Sequence, residues 1–142
     1  MTNSPQQPTV AERELCGLVN GLAQQIADHV RVRAAALGLT APQATALREM
    51  TGPMTMRELA DRMSCEPSNA TFVVDRLEKQ GLVERRAHPT DRRARHLVLT
   101  AEGRALRARL LELLAQDSPL AGLTGEQQTQ LQQLLQQAVV RR

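Results

Sequence analysis

Five arginines, Arg85, Arg86, Arg92, Arg93 and Arg95, crowd the segment that ends at His96, and Asp91 is the one acid among them. A guanidinium is permanently charged and presents its donors as a flat fork that fits phosphate oxygens and the acceptor edge of guanine, which is the chemistry of a polyanion binder. The local net charge is +4 while the whole chain carries +3, so everything else sums to −1 and the positive charge is concentrated here. Just upstream, Ser68, Asn69, Thr71, Phe72, Asp75, Arg76 and Lys79 share one face of a helical pattern centred on Phe72, the single aromatic residue of the chain. A lone aromatic is worth most in the core, so its place on a polar face has two readings. Either Phe72 leans back against a neighbouring element, or it makes an apolar contact with a thymine methyl in a DNA major groove.

These side chains need elements to hold them. Thr55 and Glu58 have the spacing of a capping box, and Met56, Leu59, Ala60 and Met63 recur behind them at helical spacing. After a break at Ser64, Cys65 and Glu66, Pro67 opens a second helix that is predicted to run to Gln80 and to stop at Gly81. Its apolar stripe, Ala70, Val73, Val74 and Leu77, packs on the first helix. Residues 82–86 and 95–99 alternate like half-buried strands, with Pro89 and Asp91 in the turn between them. The span 55–100 therefore reads as a helix-turn-helix followed by an arginine-tipped β-hairpin, and a narrow, negative minor groove suits such a tip.

The order of Asp75-Arg76-Leu77-Glu78, Gly81-Leu82-Val83 and Asp91-Arg92-Arg93 leading to Leu97-Val98-Leu99-Thr100 resembles the multiple antibiotic resistance regulator (MarR) family, from residue 10 onward. The resemblance implies a mostly α fold with a small β-hairpin wing, a winged helix-turn-helix between N- and C-terminal dimerisation helices. After a disordered arm at 1–9, a single domain is expected over 10–142, with 10–38 and 100–142 dimerising and 40–99 forming the DNA-binding lobe. The resemblance places Ser68, Asn69, Thr71, Phe72 and Arg76 in the major groove. It makes Arg93 the side chain inserted in the minor groove, Asp91 the carboxylate that orients it, and Arg92 a phosphate or second groove contact, with Arg86 a further DNA contact. It implies a homodimeric regulator of transcription, commonly a repressor, on double-stranded DNA with a pseudo-palindromic operator. A small anionic or phenolic effector is the family's usual signal.

The flanks agree with a dimer. Leu15, Leu18, Val19, Leu22, Ile26 and Val30 form one stripe of a helix expected from Val10 to Leu37, with Gly38 as its stop. Thr40 and Gln43 cap a helix that carries Ala44, Leu47 and Met50 inward. Thr100 and Glu102 open a helix through Leu106, Leu110, Leu113 and Leu114 that Ser118 and Pro119 end. Thr124 starts the last helix, where Leu131, Leu134, Leu135, Ala138 and Val139 share a face opposite a glutamine-rich one. A chain of 142 residues without Trp or Tyr has a modest core and gains from association. No apolar run reaches membrane-spanning length, the start has no secretory apolar region, and Cys16 and Cys65 make no disulfide framework, so a cytoplasmic protein is expected.

Other chemistry is thinner. Arg31, Arg33 and Arg48 are candidates to pair an anionic effector, against the commoner fate of surface solvation. Cys16 lies where peroxide-sensing relatives in this family carry a cysteine, which leaves a thiol-based redox sensor as an alternative, but the tyrosines those sensors use are missing. The competing reading makes Cys16 a small half-buried hydrophobe, and Cys65 is expected to be buried rather than reactive. Cys16, Cys65, His29, His88 and His96 show no metal-ligand spacing, and no cofactor is expected. A winged helix that binds proteins instead of an operator remains an alternative. An enzyme is not expected, because no phosphate loop or nucleophile motif is present.

Overall fold

Threonine hydroxyls open most of the helices. This computed structural model describes residues 9–139, so positions 1–8 of the expected arm lie outside the described residues. Thr9 Oγ1 accepts from the Glu12 amide at 3.0 Å at the start of α1 (Val10–Ala35). Gly38, with φ 71°, then turns the chain towards α2 (Ala41–Glu49), which Thr40 and Gln43 open with a full capping box. Thr55 caps α3 (Met56–Met63) by accepting from the Glu58 amide at 3.2 Å. The return bond from the Glu58 carboxylate, expected of a reciprocal box, is not formed among the described residues. Pro67 begins α4 (Pro67–Lys79), and Gly81 follows it with φ 76°, the left-handed turn that favours glycine.

Beyond that turn, β1 (Val83–Ala87) and β2 (Arg95–Leu99) pair antiparallel, with Val83 opposite Leu99 and Ala87 opposite Arg95. Met54 adds an isolated bridge on Leu97, exchanging both backbone bonds at 3.2 and 2.7 Å, so the loop before α3 is stitched to the hairpin. Thr100 caps α5 (Ala101–Ala115), and Thr124 with Gln127 forms the box ahead of α6 (Gly125–Ala138). No helix of the described residues is long and apolar enough to cross a membrane.

The chain divides into two compact units, one of residues 27–116 and the other made by the described residues up to 26 and from 117. The first contains residues 40–99 together with the end of α1 and with α5, which packs against α2 and β2. Its core contains Leu47, Met50, Met54, Leu59, Val74, Leu77, Val83, Leu97 and Leu110, all fully buried, and α2, α3 and α4 meet around it. In the other unit no residue of α6 is buried, and Leu15, Leu18, Val19, Leu134, Leu135 and Val139 are exposed.

One glycine in the first unit is fixed by contact rather than by backbone angle. A Cβ on Gly103 would lie 2.0 Å from the Leu82 carbonyl oxygen, so the first turn of α5 touches the backbone at the foot of β1. Helix propensity alone makes Gly103→Ala stabilising by about 1 kcal/mol. The clash with backbone outweighs that gain, and the substitution is expected to destabilise by about 1–3 kcal/mol, read as a lower midpoint in urea or thermal unfolding.

Candidate nucleic-acid interface

The sequence of α4 sorts itself by face. Ala70, Val73, Val74 and Leu77 are buried, whereas Ser68, Asn69, Thr71, Phe72 and Arg76 are all exposed. Thr71 turns its hydroxyl back to donate to the Pro67 carbonyl at 2.9 Å, while Ser68 and Asn69 make no side-chain hydrogen bond among the described residues. Phe72 is 60% exposed, so it does not lean into the core. Its ring carries the guanidinium of Arg76, whose Cζ sits 4.8 Å from the ring centroid.

The arginine cluster splits into two populations. Arg85, half-buried on β1, reaches back to α4 and donates to the carboxylates of Asp75 and Glu78. Arg86 pairs with Glu84 two residues before it on the same strand, at 3.0 Å. These two are spent within the fold. Arg92, Arg93 and Arg95 are exposed and make no ion pair among the described residues. Sequence reasoning counted Arg85 only as charge; the signal for its role was Asp75 and Glu78 at helical i, i+3 spacing just before the Gly81 turn that brings β1 back alongside α4.

The wing tip is built by side-chain acceptors on backbone donors. His88 Nδ1 accepts from the amides of Thr90 and Asp91, both at 3.1 Å, and a carboxylate oxygen of Asp91 accepts from the Arg93 amide at 2.9 Å. Asp91 thus acts on the main chain of Arg93, in the manner of an Asx turn, rather than on its guanidinium. The His88 ring stands against His96 from the opposite strand, with centroids 4.2 Å apart. The role of His88 as a turn acceptor was not read from the sequence, where it figured only among possible metal ligands.

The three arginines singled out for an effector are engaged locally. Arg31 pairs with Asp28 at 3.4 Å, Arg48 with Glu49 at 3.1 Å, and Arg33 donates to the Gln116 carbonyl at 3.0 Å. His29 meets the Leu114 carbonyl at 2.8 Å, so His29 and Arg33 together serve the carbonyl end of α5. None of these arginines lines the cavity of about 470 Å³ between the loop at Thr51–Pro53, the wing base and α5, whose cationic lining is Arg86, Arg104 and Arg107. Arg107 is held by the carbonyls of Leu47 and Arg48, at 2.8 and 2.9 Å, and Arg104 by that of Leu99 at 3.1 Å. Cys16 is an exposed free thiol, not the half-buried hydrophobe expected, and the described residues around it, 9–21, are all exposed. Cys65 is half-buried, and no group of metal-ligating side chains forms among the described residues.

Comparison with known proteins bears on this arrangement. A family model described as the MarR family matches residues 39–94. The HTH-type transcriptional repressor Rv2887 of Mycobacterium tuberculosis is 36% identical over 104 residues, spanning 70% of this chain and 75% of that repressor. The HTH-type transcriptional repressor MdtR of Bacillus subtilis is 35% identical over 80 residues, which is 49% of this chain and 52% of MdtR, so the chain spans about half the length of that relative. Among solved structures, a mutant MarR from E. coli complexed with operator DNA aligns with a TM-score of 0.70 at 26% identity, covering 89% of this chain and 94% of that one. The structure of Rv2887 in complex with p-aminosalicylic acid aligns with a TM-score of 0.66 at 30% identity, covering 87% and 97%.

The Arg85 bridge makes a separate, local prediction. In Arg85→Ala the Asp75 and Glu78 carboxylates lose their common partner and the hairpin loses its side tie to α4. Amide exchange over 83–87 and 95–99 is expected to accelerate about tenfold, while that of α2 stays unchanged. Equal protection in both proteins would show that the hairpin is held by its apolar contacts alone.

Proposed function

The chain belongs to the MarR family, and on that footing we propose that it is a ligand-responsive transcriptional repressor that binds a pseudo-palindromic operator as a cytoplasmic homodimer. The observation that carries this reading is the wing. Arg92, Arg93 and Arg95 stand exposed at its tip without a paired acid among the described residues, beside a helix whose outward face is mostly polar. Charges left unspent by the fold are the ones available to phosphates and to a narrow groove. In this reading α4 enters the major groove through Ser68, Asn69, Thr71, Phe72 and Arg76. Arg93 enters the adjoining minor groove, Asp91 fixes the turn that aims it and Arg92 meets a phosphate, while Arg86, expected from the sequence as a further DNA contact, is paired with Glu84 and is left out of the contact set.

Dimerisation falls to the helices of 10–38 and 100–142, where the apolar stripes of α1 and α6 are exposed. Two copies related by a two-fold axis set the recognition helices one DNA turn apart, about 34 Å, on successive major grooves. Each phosphate neutralised adds about −0.9 to the slope of log affinity against log salt.

The effector is assigned to the cavity beside Arg86, Arg104 and Arg107 rather than to Arg31, Arg33 and Arg48, none of which lines it. An aromatic carboxylate of the kind bound by Rv2887 fits its mix of apolar wall and guanidinium groups. Because the wing base forms part of that wall, a ligand there favours one wing setting over another, and it releases DNA if the favoured setting binds DNA less well.

Two measurements test this. Arg93→Ala is expected to lower operator affinity about tenfold in a gel-shift titration, with an unchanged dimer by sedimentation; wild-type affinity would remove Arg93 from the interface. p-Aminosalicylic acid is expected to weaken operator binding by the wild-type protein, and Arg104→Ala to blunt that response; an undiminished response would move the effector out of this cavity.

A further inference from the structure

The contact between Phe72 and Arg76 says more than that two side chains share a face. They stand four residues apart on α4, and helical side chains lean towards the N-terminus, so Arg76 folds back over the turn that carries Phe72. Its Cζ lies 4.8 Å from the ring centroid, a cation–π contact, although the ring remains 60% exposed. The acids beside it in sequence do not compete for it, because Asp75 and Glu78 are both bound by Arg85. An arginine on a water-facing helix ordinarily samples many rotamers, and one resting on an aromatic face has fewer to lose when it binds.

We infer that Phe72 and Arg76 act as one reading unit, the ring holding the guanidinium fork towards a guanine while its open edge meets the C5-methyl of a thymine on a neighbouring base pair. This rests on the proposed entry of α4 into the major groove and adds the sequence it reads. The chemistry follows from each partner. Guanine offers O6 and N7 to a bidentate guanidinium, and thymine is the base that presents a methyl group there. The spacing follows from the contact. Groups 4.8 Å apart are separated by between one and two base-pair steps of about 3.4 Å, so the two bases are near neighbours in each half-site. Arg85 acts on this unit indirectly, by occupying the carboxylates that would otherwise draw Arg76 off the ring.

The test is a selection from random duplex DNA with the full-length protein, followed by titrations on the selected operator. The wild-type protein is expected to enrich half-sites with a guanine beside a thymine. Replacing that thymine by deoxyuridine, which removes only the methyl group, is expected to weaken wild-type binding about fourfold. It should leave Phe72→Ala binding unchanged. Arg76→Lys keeps the charge but not the fork, and is expected to lose about tenfold of guanine preference with its salt slope intact. Phe72→Leu, which keeps apolar bulk without a π face, is expected to retain methyl sensitivity in part and yet lose guanine preference, although Arg76 is untouched. Because Phe72 is exposed, these variants should unfold at the wild-type midpoint. Undiminished guanine preference in both Phe72 variants would mean that the residues read independently, and would overturn the unit. A selected palindrome lacking the guanine and thymine pair would overturn it as well. Selection of no site by the wild-type protein would instead remove the DNA-binding reading on which the unit rests.

Discussion

The setting of the wing against α4 depends on one close-packed junction, where the chain leaving α4 through Gly81 and Leu82 meets the chain entering α5 through Thr100 and Gly103. Thr100 donates its hydroxyl to the Gly81 carbonyl at 2.6 Å and its amide to that of Leu82 at 3.0 Å, while the same hydroxyl accepts from the Gly103 amide at 3.0 Å. Leu82 pairs in turn with the Leu77 carbonyl, closing the end of α4. The end of one helix, the foot of a hairpin and the start of another helix therefore share a single set of backbone bonds. Gly103 permits this approach because it has no Cβ, and Gly81 permits the turn because its φ is positive. A side chain at either place moves the wing relative to the helix it accompanies.

Around that junction the arginines divide by what they satisfy. Arg33, Arg62, Arg104 and Arg107 each donate to backbone carbonyls at the ends of helices or strands, where the peptide dipoles leave acceptors without partners. Arg31, Arg48, Arg85 and Arg86 pair with carboxylates. Among the described residues the arginines left over are Arg13, Arg57 and Arg109, scattered over α1, α3 and α5, Arg76 on its ring, and the one cluster of three at the wing, Arg92, Arg93 and Arg95. Formal charge along the sequence overstates the wing at its base and leaves its tip as the electropositive part. Structural arginines thus sharpen the field of the others by removing acids from their neighbourhood.

Much of this was legible in the sequence because it is local. Threonine caps, the proline at the head of α4, the glycine after it and the period-two runs of the hairpin each depend on a few neighbouring residues, and each stands within one or two positions of expectation. Phe72 was legible as an anomaly, an aromatic on the wrong face, although only the structure shows that it faces solvent and carries Arg76. Features that need two distant segments were not legible. The Met54 bridge to Leu97, the grip of Arg107 on the end of α2 and the cavity beside it join residues with no shared period. For the same reason Arg33 looked available, since the Gln116 carbonyl it serves lies far off in sequence, whereas Arg31 and Arg48 pair with Asp28 and Glu49, near neighbours that the sequence does place within reach.

The helices outside the 27–116 unit pose the remaining physical problem. α6 has 14 residues, two capping-box partners at its start and no buried side chain, and Leu131 is the one leucine on it that is even half-buried. Helices of that length are marginal in water without packing on their apolar face, however well they are capped. The groove of about 360 Å³ between α6 and the turn at Leu120 is lined almost wholly by aliphatic and glutamine side chains, so it offers a partner contact area but little polar specificity. A second copy of the chain supplies the missing surface in the dimer proposed here, and then the stability of these helices depends on protomer concentration. Operator binding inherits the same dependence, since one lobe alone has half the phosphate contacts of two. A substitution on the Leu134 and Leu135 stripe would in that case present as a defect in DNA binding while leaving every residue of the wing and of α4 in place.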